Sequence, residues 1–179
     1  MSDGLTDALR WMKPDGFTVS IIAAIGKNRE LDWETMKWDL PRDIKRFKDL
    51  TLGNTVIMGR KTHDLIGDLP DRTNFVISRK TKGKNYFNSV DNAISSAETE
   101  QVFLIGGEKI YQFGLDYDYV DRIYLTMIDK SFDNATVFFP KIGKEWKIEW
   151  ESEKYFENNL SFKFINYLRK DKYKEKIIK

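Results

Sequence analysis

The sequence predicts an α/β fold with a mostly parallel central sheet of about eight strands, flanked by helices on both faces, and a C-terminal antiparallel hairpin at the edge. Through the first two thirds of the chain, nearly continuous apolar runs of strand length alternate with helical segments, which is typical of a parallel sheet covered on both faces. The last third carries two long strand-like segments separated by Glu157-Asn158-Asn159. That pattern indicates an antiparallel hairpin.

Local patterns assign each element. Apolar runs bounded by polar or glycine residues predict strands at 17–25, 54–59, 74–78, 85–89, 101–105, 121–128, 146–156 and 160–170. Helical periodicity predicts helices at 39–51, at 90–97 and from 108 to about 115. We assign a single domain to 17–168, an N-terminal extension to 1–16 and a basic tail to 169–179.

Composition narrows the class of protein. A chain of 179 residues with 41% hydrophobic and 14% aromatic content supports one compact core. The absence of cysteine excludes disulfides, thiolate nucleophiles and Cys-ligated metals. No apolar run approaches the roughly 20 residues of a membrane span, and Asp3 and Asp7 stand where a secretory signal is basic and then apolar. We therefore expect a cytoplasmic monomer without a membrane partner.

Positive charge is concentrated at the C-terminus. Residues 169–179 contain six basic and two acidic side chains, a net charge of +4, whereas the whole chain carries +2. The other 168 residues therefore sum to −2, which does not suit a nucleic-acid-binding surface. The tail has the charge to contact a polyanion, but a solvated terminus is the better explanation of that charge, and we expect no nucleic-acid partner.

The helix at 39–51 carries the most informative residue, Asp43. Asp39 is the predicted N-cap, and Pro41 lies in the first turn. At about 100° per residue, one apolar stripe contains Leu40, Ile44, Phe47 and Leu50. The positions away from that stripe are Arg42, Lys45, Arg46, Lys48 and Asp49. Asp43 projects into the apolar side, between Phe47 and Leu50.

An acid at that position has two interpretations. Asp is common in the first turn of helices, where it satisfies free amides and the helix dipole. Alternatively, a carboxylate among apolar side chains must find partners or lose its charge, and acid/base sites exploit both outcomes. The helical segment alone leaves both the structural and the catalytic role of Asp43 open.

Three predicted strand ends carry groups suited to phosphate. Gly59-Arg60-Lys61-Thr62, Ser78-Arg79 and Gly106-Gly107 each follow an apolar strand. Ligands of open α/β sheets bind beyond the carboxyl ends of the strands, where glycine permits close approach and a helix N-terminus offers amides to an anion. Singly, a Gly-Gly pair is more often a turn, and an exit arginine is more often solvated. Three such ends on one sheet edge predict a phosphate-bearing ligand.

The type of nucleotide is also indicated. Two arginines at neighbouring strand ends suit the extra phosphate of NADP better than the ribose hydroxyls of NAD, where a carboxylate is expected. The chain contains neither GxGxxG nor GxxxxGK followed by Ser or Thr, which argues against the usual Rossmann fingerprint and against an ATP-driven P-loop enzyme. His63 is the one histidine and has no clustered acids beside it, so we expect no metal site.

Six segments together resemble a known family. They are VSIIAAI, WDLPRDIKRFKDLT, TVIMGRKTHDLIG, LPDRTNFVISR, VFLIGGEKIY and IYLTMI. Their order and spacing resemble the dihydrofolate reductases from about Phe17 to Pro140, and less distinctly to about Leu168. The most specific element is W-x-L-P-x-D-x-x-x-F-K, which contains Asp43. The resemblance implies NADPH-dependent reduction of 7,8-dihydrofolate, the tetrahydrofolate-forming step of one-carbon metabolism.

The resemblance also implies roles around the substrate. Asp43 would be the lone acid of the pteridine pocket and would promote protonation of N5, with Thr126 in the same network and Trp38 holding a bridging water. The walls of the pteridine and aminobenzoyl pocket would be Ile22, Phe47, Ile66 and Leu69. Arg72 would pair with the glutamate carboxylate of folate, for which bidentate geometry favours arginine.

On the cofactor side, the resemblance places Ala24, Ile105 and Tyr111 near the nicotinamide. It places Gly106 and Gly107 by the pyrophosphate, and Arg60, Thr62, Ser78 and Arg79 by the adenosine phosphates. The neighbouring positions Lys61, Glu108, Lys109 and Ile110 belong to the same expected cofactor site. Asp43, Trp38, Tyr111 and Thr126 would form the catalytic group.

Two loops depart from the family pattern, and two alternatives stay open. The loop from Arg29 to Trp38 is one residue short and has Lys37 where proline usually precedes the tryptophan, and Ala135 replaces an acid before Thr136. In relatives these loops act in closure over the nicotinamide. The alternatives are a reductase of another heterocycle, such as a ribosylaminopyrimidine, and a non-catalytic structural or interaction protein that retains the fold.

Overall fold

The computed structural model describes residues 16–31, 39–117 and 120–170. The predictions for Trp38 and Lys37, for most of the N-terminal extension and for the tail beyond Lys170 lie outside these residues. Arg169 was assigned both to the predicted strand at 160–170 and to the basic tail, and it is the last residue of a strand. Its buried guanidinium donates hydrogen bonds to the carbonyls of Val120, at 2.8 Å, and Tyr117, at 2.9 Å.

Nine strands and four helices occur in the described part of the chain. The strands are β1 (Thr18–Ile25), β2 (Thr55–Gly59), β3 (Thr73–Ile77), β4 (Tyr86–Phe87), β5 (Gln101–Leu104), β6 (Val120–Ile128), β7 (Trp146–Glu151), β8 (Tyr155–Glu157) and β9 (Leu160–Arg169). The helices are α1 (Pro41–Thr51), α2 (Arg60–Ile66), α3 (Val90–Ser96) and α4 (Glu108–Asp116).

The sheet has the order β4-β3-β2-β5-β1-β6-β9-β7, and β8 pairs with β9 beside this path. Every pairing from β4 through to β6 is parallel. The pairings that β9 makes with β6, β7 and β8 are antiparallel. This topology confirms the predicted fold class. It also brings the carboxyl ends of β1, β2, β3 and β5 to one edge of the sheet, where a ligand site is expected.

Helices cover both faces of the sheet because successive strand residues point to opposite sides. Ile21 and Ala23 of β1 belong to one buried cluster, which includes α3 and α4 residues. Ile22 belongs to a second cluster, against which Phe47 and Leu50 of α1 pack. An apolar run such as β1 is buried on both sides, as the sequence indicated.

The predicted strand at 146–156 is wrong in one respect, because the structure divides it into β7 and β8. The pairing of β7 with β9 shifts register between Ile148 and Trp150. Past the end of β7, the Ser152 hydroxyl accepts a hydrogen bond from the amide of Phe164 at 2.9 Å, which replaces regular ladder geometry. The turn into β9 has Asn158 and Asn159 at φ 49° and 62°, as a hairpin turn of the primed type requires.

The predicted N-cap of α1 is also wrong, since the N-cap is Leu40 and no side chain caps it locally. The free amide of Arg42 is satisfied from a distant element, because the Glu157 carboxylate of β8 accepts its hydrogen bond at 3.2 Å. The Asn158 side chain donates to the Asp39 carbonyl at 2.6 Å. The hairpin turn therefore fixes where α1 begins.

None of the described helices is long and apolar enough to cross a membrane.

Candidate active site

The structure brings Asp43 and Thr126 together. Asp43 lies in the first turn of α1, and Thr126 lies in β6 opposite Ala24 of β1. The Thr126 hydroxyl donates a hydrogen bond to Asp43 Oδ1 at 2.6 Å. Thr126 is 3% exposed and Asp43 is half-buried. The carboxylate is therefore tied to the strand beside β1, close to the ligand-binding edge of the sheet.

The apolar stripe predicted on α1 holds for three of its four members. Leu40 is fully buried in a cluster with Ile128, Phe162 and Phe164. Phe47 and Leu50 pack on the cluster that contains Ile22. Ile44 contradicts the prediction, because it is 56% exposed. The helix tilts its buried side toward the sheet through Phe47 and Leu50, and this leaves an apolar side chain in solvent next to Asp43.

Arg46 also lies where the helical pattern did not place it. It was assigned to the side away from the apolar stripe, yet its guanidinium is part-buried among aromatic rings. The Cζ atom lies 4.4 Å from the ring centroid of Phe164, 5.7 Å from Tyr124 and 6.0 Å from Trp150. Its Nη2 atom donates to Asn166 Oδ1 at 2.5 Å. The cation thus lies against the antiparallel strands, one helical turn beyond Asp43.

Tyr111 of α4 joins the interior of β1 to the end of β5. Its hydroxyl lies 2.8 Å from the carbonyl oxygens of both Ile22 and Ile105, so one proton serves two acceptors. Burial, and secondarily the negative charge of Asp43, raise the pKa of Tyr111 far above its ordinary value. The phenol therefore remains protonated and serves as a fixed donor.

A glycine-lined edge adjoins Tyr111. Gly106 has φ +123°, and a Cβ built there would lie 3.2 Å from the Tyr111 hydroxyl. The Gly59 amide at the end of β2 donates to the Gly106 carbonyl at 2.8 Å. Gly107 precedes α4 and has no side chain to cap its first turn, while Thr62 lies 3.7 Å from its Cβ position. Bare backbone at a helix start fits the pyrophosphate of a dinucleotide.

The expected phosphate-binding side chains differ in how firmly they are held. Arg60 is exposed and pairs with Asp64 at 2.9 Å, while Lys61 and Arg79 are exposed. Ser78 is buried, and its hydroxyl accepts amides of the following turn, including Thr81 at 3.0 Å. Among the remaining positions of this group, Glu108 and Lys109 are exposed and Ile110 is buried in the core. This edge thus combines exposed cationic side chains with a buried hydroxyl that is already hydrogen-bonded to the backbone.

Three of the expected substrate-side residues, Ile66, Leu69 and Arg72, lie at the end of α2 and in the segment that leads into β3. Arg72 donates from Nε to the Pro70 carbonyl at 2.8 Å and from Nη1 to the Thr51 hydroxyl at 3.2 Å, which holds the guanidinium in place. Ile66 at the end of α2 is 40% exposed. Leu69 is half-buried, and its amide donates to the Asn74 side chain at 2.8 Å.

Glu30 was not singled out by the sequence. Its side chain is 2% exposed, and its carboxylate accepts the amides of Asn28 at 2.8 Å and Phe132 at 3.1 Å. Burial alone would raise the pKa of Glu30, but hydrogen bonds from the backbone amides of Phe132, Glu30 itself and Asn28 lower it below its ordinary value. The amide of Leu31 donates to the Val137 carbonyl at 2.8 Å. Glu30 therefore joins the chain after β1 to the 129–139 loop.

The fold and the site define an open α/β ligand-binding domain, in which a held carboxylate and a glycine-lined edge share the ends of the parallel strands. Comparisons with known proteins give the family. The family model described as dihydrofolate reductase matches residues 18–169. The chain is 35% identical over 162 residues to the dihydrofolate reductase of Haemophilus influenzae, and this match covers 86% of the chain and 99% of that relative.

A second relative belongs to the same family. The chain is 31% identical over 161 residues to the dihydrofolate reductase of Staphylococcus aureus strain Mu50, with 86% of the chain and 99% of that relative covered. The chain belongs to the dihydrofolate reductase family, which confirms the resemblance found in the sequence.

Within residues 16–31, 39–117 and 120–170, no group of three or more potential metal ligands occurs.

Proposed function

We propose that this protein catalyses the NADPH-dependent reduction of 7,8-dihydrofolate to 5,6,7,8-tetrahydrofolate. The C6=N5 bond accepts a hydride at C6 and a proton at N5, so two electrons and two hydrogens are accounted for. Membership of the family supports the reaction. The hydrogen bond from Thr126 to Asp43 at 2.6 Å is the observation that carries the assignment to this site, because it fixes one acid beside the strand ends.

Asp43 would bind the amidine-like edge of the pteridine and promote protonation at N5. The Thr126 hydroxyl orients one carboxylate oxygen. The plane of the carboxylate would therefore be set before the ring binds. Exposed apolar side chains near the site, among them Ile44 and Ile66, supply surface for the aromatic parts of folate. Arg72, held by Pro70 and Thr51, would pair with the glutamate carboxylate. Trp38 would hold the bridging water.

NADPH, when bound, would supply the hydride. Ala24, Ile105 and Tyr111 would lie against its nicotinamide, and the shared Tyr111 hydroxyl would hold the carbonyls of Ile22 and Ile105 in place. Gly106, Gly107 and the first turn of α4 would bind the pyrophosphate, since they present backbone without side chains. Thr62, Ser78 and the cations Arg60, Lys61 and Arg79 would surround the adenosine phosphates.

The reaction is tested by following the loss of reduced-nicotinamide absorbance with dihydrofolate, for the wild type and for Asp43→Asn. We expect the variant to lose more than about a hundredfold in turnover at neutral pH, because a positioned acid contributes about that much. Activity should partly return in acid, where the substrate is protonated in solution. Asp49→Asn is the matched control, since Asp49 lies on the same helix but is exposed.

Two results would contradict this assignment. Equal turnover in the wild type and Asp43→Asn would remove Asp43 from the chemistry. Wild-type protein that binds NADPH but turns over no dihydrofolate would favour the alternative of a non-catalytic binding protein, or of a reductase for another heterocycle. Chemical denaturation of both variants separates loss of function from loss of fold.

The cofactor preference is tested with Arg60→Gln and Arg79→Gln. Both arginines are exposed, and an exposed charge pair contributes about 1 kcal/mol or less. We therefore expect each change to lower the ratio of kcat/KM for NADPH to kcat/KM for NADH by about fivefold. Lys80→Gln, at a neighbouring exposed cation, should leave that ratio unchanged. A decrease that is the same for both cofactors would show that neither arginine reads the extra phosphate.

A further inference from the structure

Arg46 occupies a position that the proposed mechanism does not use. The residue lies three positions after Asp43 on α1, and side chains with that spacing are neighbours on a helix surface. Its guanidinium is enclosed by the rings of Phe164, Tyr124 and Trp150 and is anchored on Asn166. A flexible side chain is thereby held in one place. The packing does not require a charge there, since an apolar side chain would fill the same aromatic enclosure.

We propose that Arg46 is a positioning residue for the reduction: a caged cation that keeps the Asp43 carboxylate ionised and thereby sets the pH range in which the enzyme works. This proposal rests on the proposed function for its catalytic consequence. The effect of the Arg46 charge on the Asp43 carboxylate does not depend on the substrate or on the reaction. Arg46 is argued to act through Asp43 and not by contact with the substrate.

Among the residues that the structure describes, Asp43 is the acid that acts on Arg46. The other titratable side chains that act on Arg46 there are the phenols of Tyr124 and Tyr155, and the buried phenol of Tyr111 faces Asp43 from α4. The nearby acids on the antiparallel strands already have cations, since Glu151 pairs with Lys163 and Glu157 with Arg42. Burial lowers the pKa of Arg46, and the charge of Asp43 opposes that effect. Attraction between two charges is mutual, so the guanidinium stabilises the Asp43 carboxylate equally.

The direction of the effect follows from this charge. A cation near the Asp43 and N5 pair repels the incoming proton, so removing the cation lets the pair hold a proton to higher pH. An opposite charge on a neighbouring side chain shifts a carboxyl titration by about one unit or more. We therefore expect Arg46→Met to move the alkaline fall of kcat/KM upward by about one pH unit. Above that midpoint the variant should turn over faster than the wild type, which loss of a merely structural residue would not produce.

The experiment compares four variants by two measurements. The first is the titration midpoint of the Asp43 carboxyl carbon signal in NMR, recorded on the protein without substrate. The second is the pH profile of kcat/KM. Arg46→Met removes the charge but fills the aromatic enclosure, and Arg46→Lys retains the charge. Asn166→Asp leaves Arg46 in place and opposes its charge with a carboxylate. Lys45→Gln removes an exposed cation from the same helix.

We expect Arg46→Met and Asn166→Asp to raise the Asp43 midpoint by about one unit, with Arg46→Lys and Lys45→Gln close to the wild type. Asn166→Asp keeps the test valid if Arg46→Met does not fold. An unchanged midpoint in the folded charge-altering variants would overturn the proposal, as would an equal shift in Lys45→Gln. A protein with no turnover would refute the reductase function, while the NMR titration would still decide the role of Arg46.

Discussion

Two regions of the molecule each hold one carboxylate, and they hold it differently. Glu30, just after β1, is almost fully buried and accepts the backbone amides of Asn28 and Phe132. Asp43, in the first turn of α1, is half-buried and accepts a side-chain hydroxyl, that of Thr126. In the first region the donors are backbone amides, whose directions are fixed by the fold. In the second region a donor is a hydroxyl, which can rotate, and we propose that the charge of Arg46 also acts on this carboxylate.

The difference fits two different roles for the two acids. Main-chain amides stabilise the ionised form of Glu30 and lower its pKa, so its charge is constant at neutral pH and contributes to stability. Asp43 is half-buried and is held by a side-chain donor, and it is the acid that we propose for the chemistry. The contrast predicts that the type of donor, more than burial, distinguishes the two roles.

Thr126→Val is the larger of two further tests of this contrast. Valine has nearly the shape of threonine but cannot donate the hydrogen bond to Asp43. A hydrogen bond to a charged group contributes about 1.5–3 kcal/mol to stability, so we expect the free energy of unfolding to fall by that amount or less. We also expect the hydride-transfer rate to fall by about tenfold or more, because misplacing a catalytic group by about 1 Å can cost about a hundredfold. The rate is measured by single-turnover stopped flow.

Thr126→Ser is the matched control, because serine retains the hydroxyl. It should keep most of the activity that valine loses. If valine and serine reduce the rate equally, then packing around Thr126, and not its hydrogen bond to Asp43, supports the reaction, and the contrast with Glu30 fails.

Much of the fold was predictable because its signals are local. The run at 54–59 is mostly apolar, is of strand length and ends in a glycine, and the structure has β2 at Thr55–Gly59. The division of 146–156 into β7 and β8 was not predictable, because it depends on a register shift against β9 and on the contact of Ser152 with Phe164. Patterns within one segment carry no information about its pairing partner.

The site was predictable to the extent that a residue broke a local rule or matched a family motif. Asp43 interrupts an apolar periodicity, and Thr126 came from the resemblance alone. Arg46 and Glu30 were missed because their partners are distant: Asn166 lies 120 positions from Arg46, and Phe132 lies 102 positions from Glu30. A charged residue on a helical pattern looks solvated until the sheet that covers it is known.

Glu30→Gln is the smaller test and addresses stability. The amide oxygen of glutamine can still accept one backbone hydrogen bond. Its NH2 group, however, would face a backbone N–H donor whose hydrogen bond a carboxylate oxygen accepts in the wild type. We expect the free energy of unfolding at pH 7 to fall by about 1 kcal/mol, measured by urea denaturation. The pH at which kcat/KM is half lost should not change. Glu98→Gln, at an exposed position, should leave the stability unaltered.

The pH dependence gives the sign of the Glu30 contribution. The pKa of Glu30 is lowered in the folded protein below its ordinary value, so the stabilisation is fully present above that ordinary value and is lost as the pH falls through the folded pKa. The wild type and Glu30→Gln should therefore differ most at neutral pH and converge in acid. A difference that persists unchanged at low pH would show that the charge of Glu30 does not join the two loops. A shift of the catalytic pH profile would show that the two carboxylates are not separable.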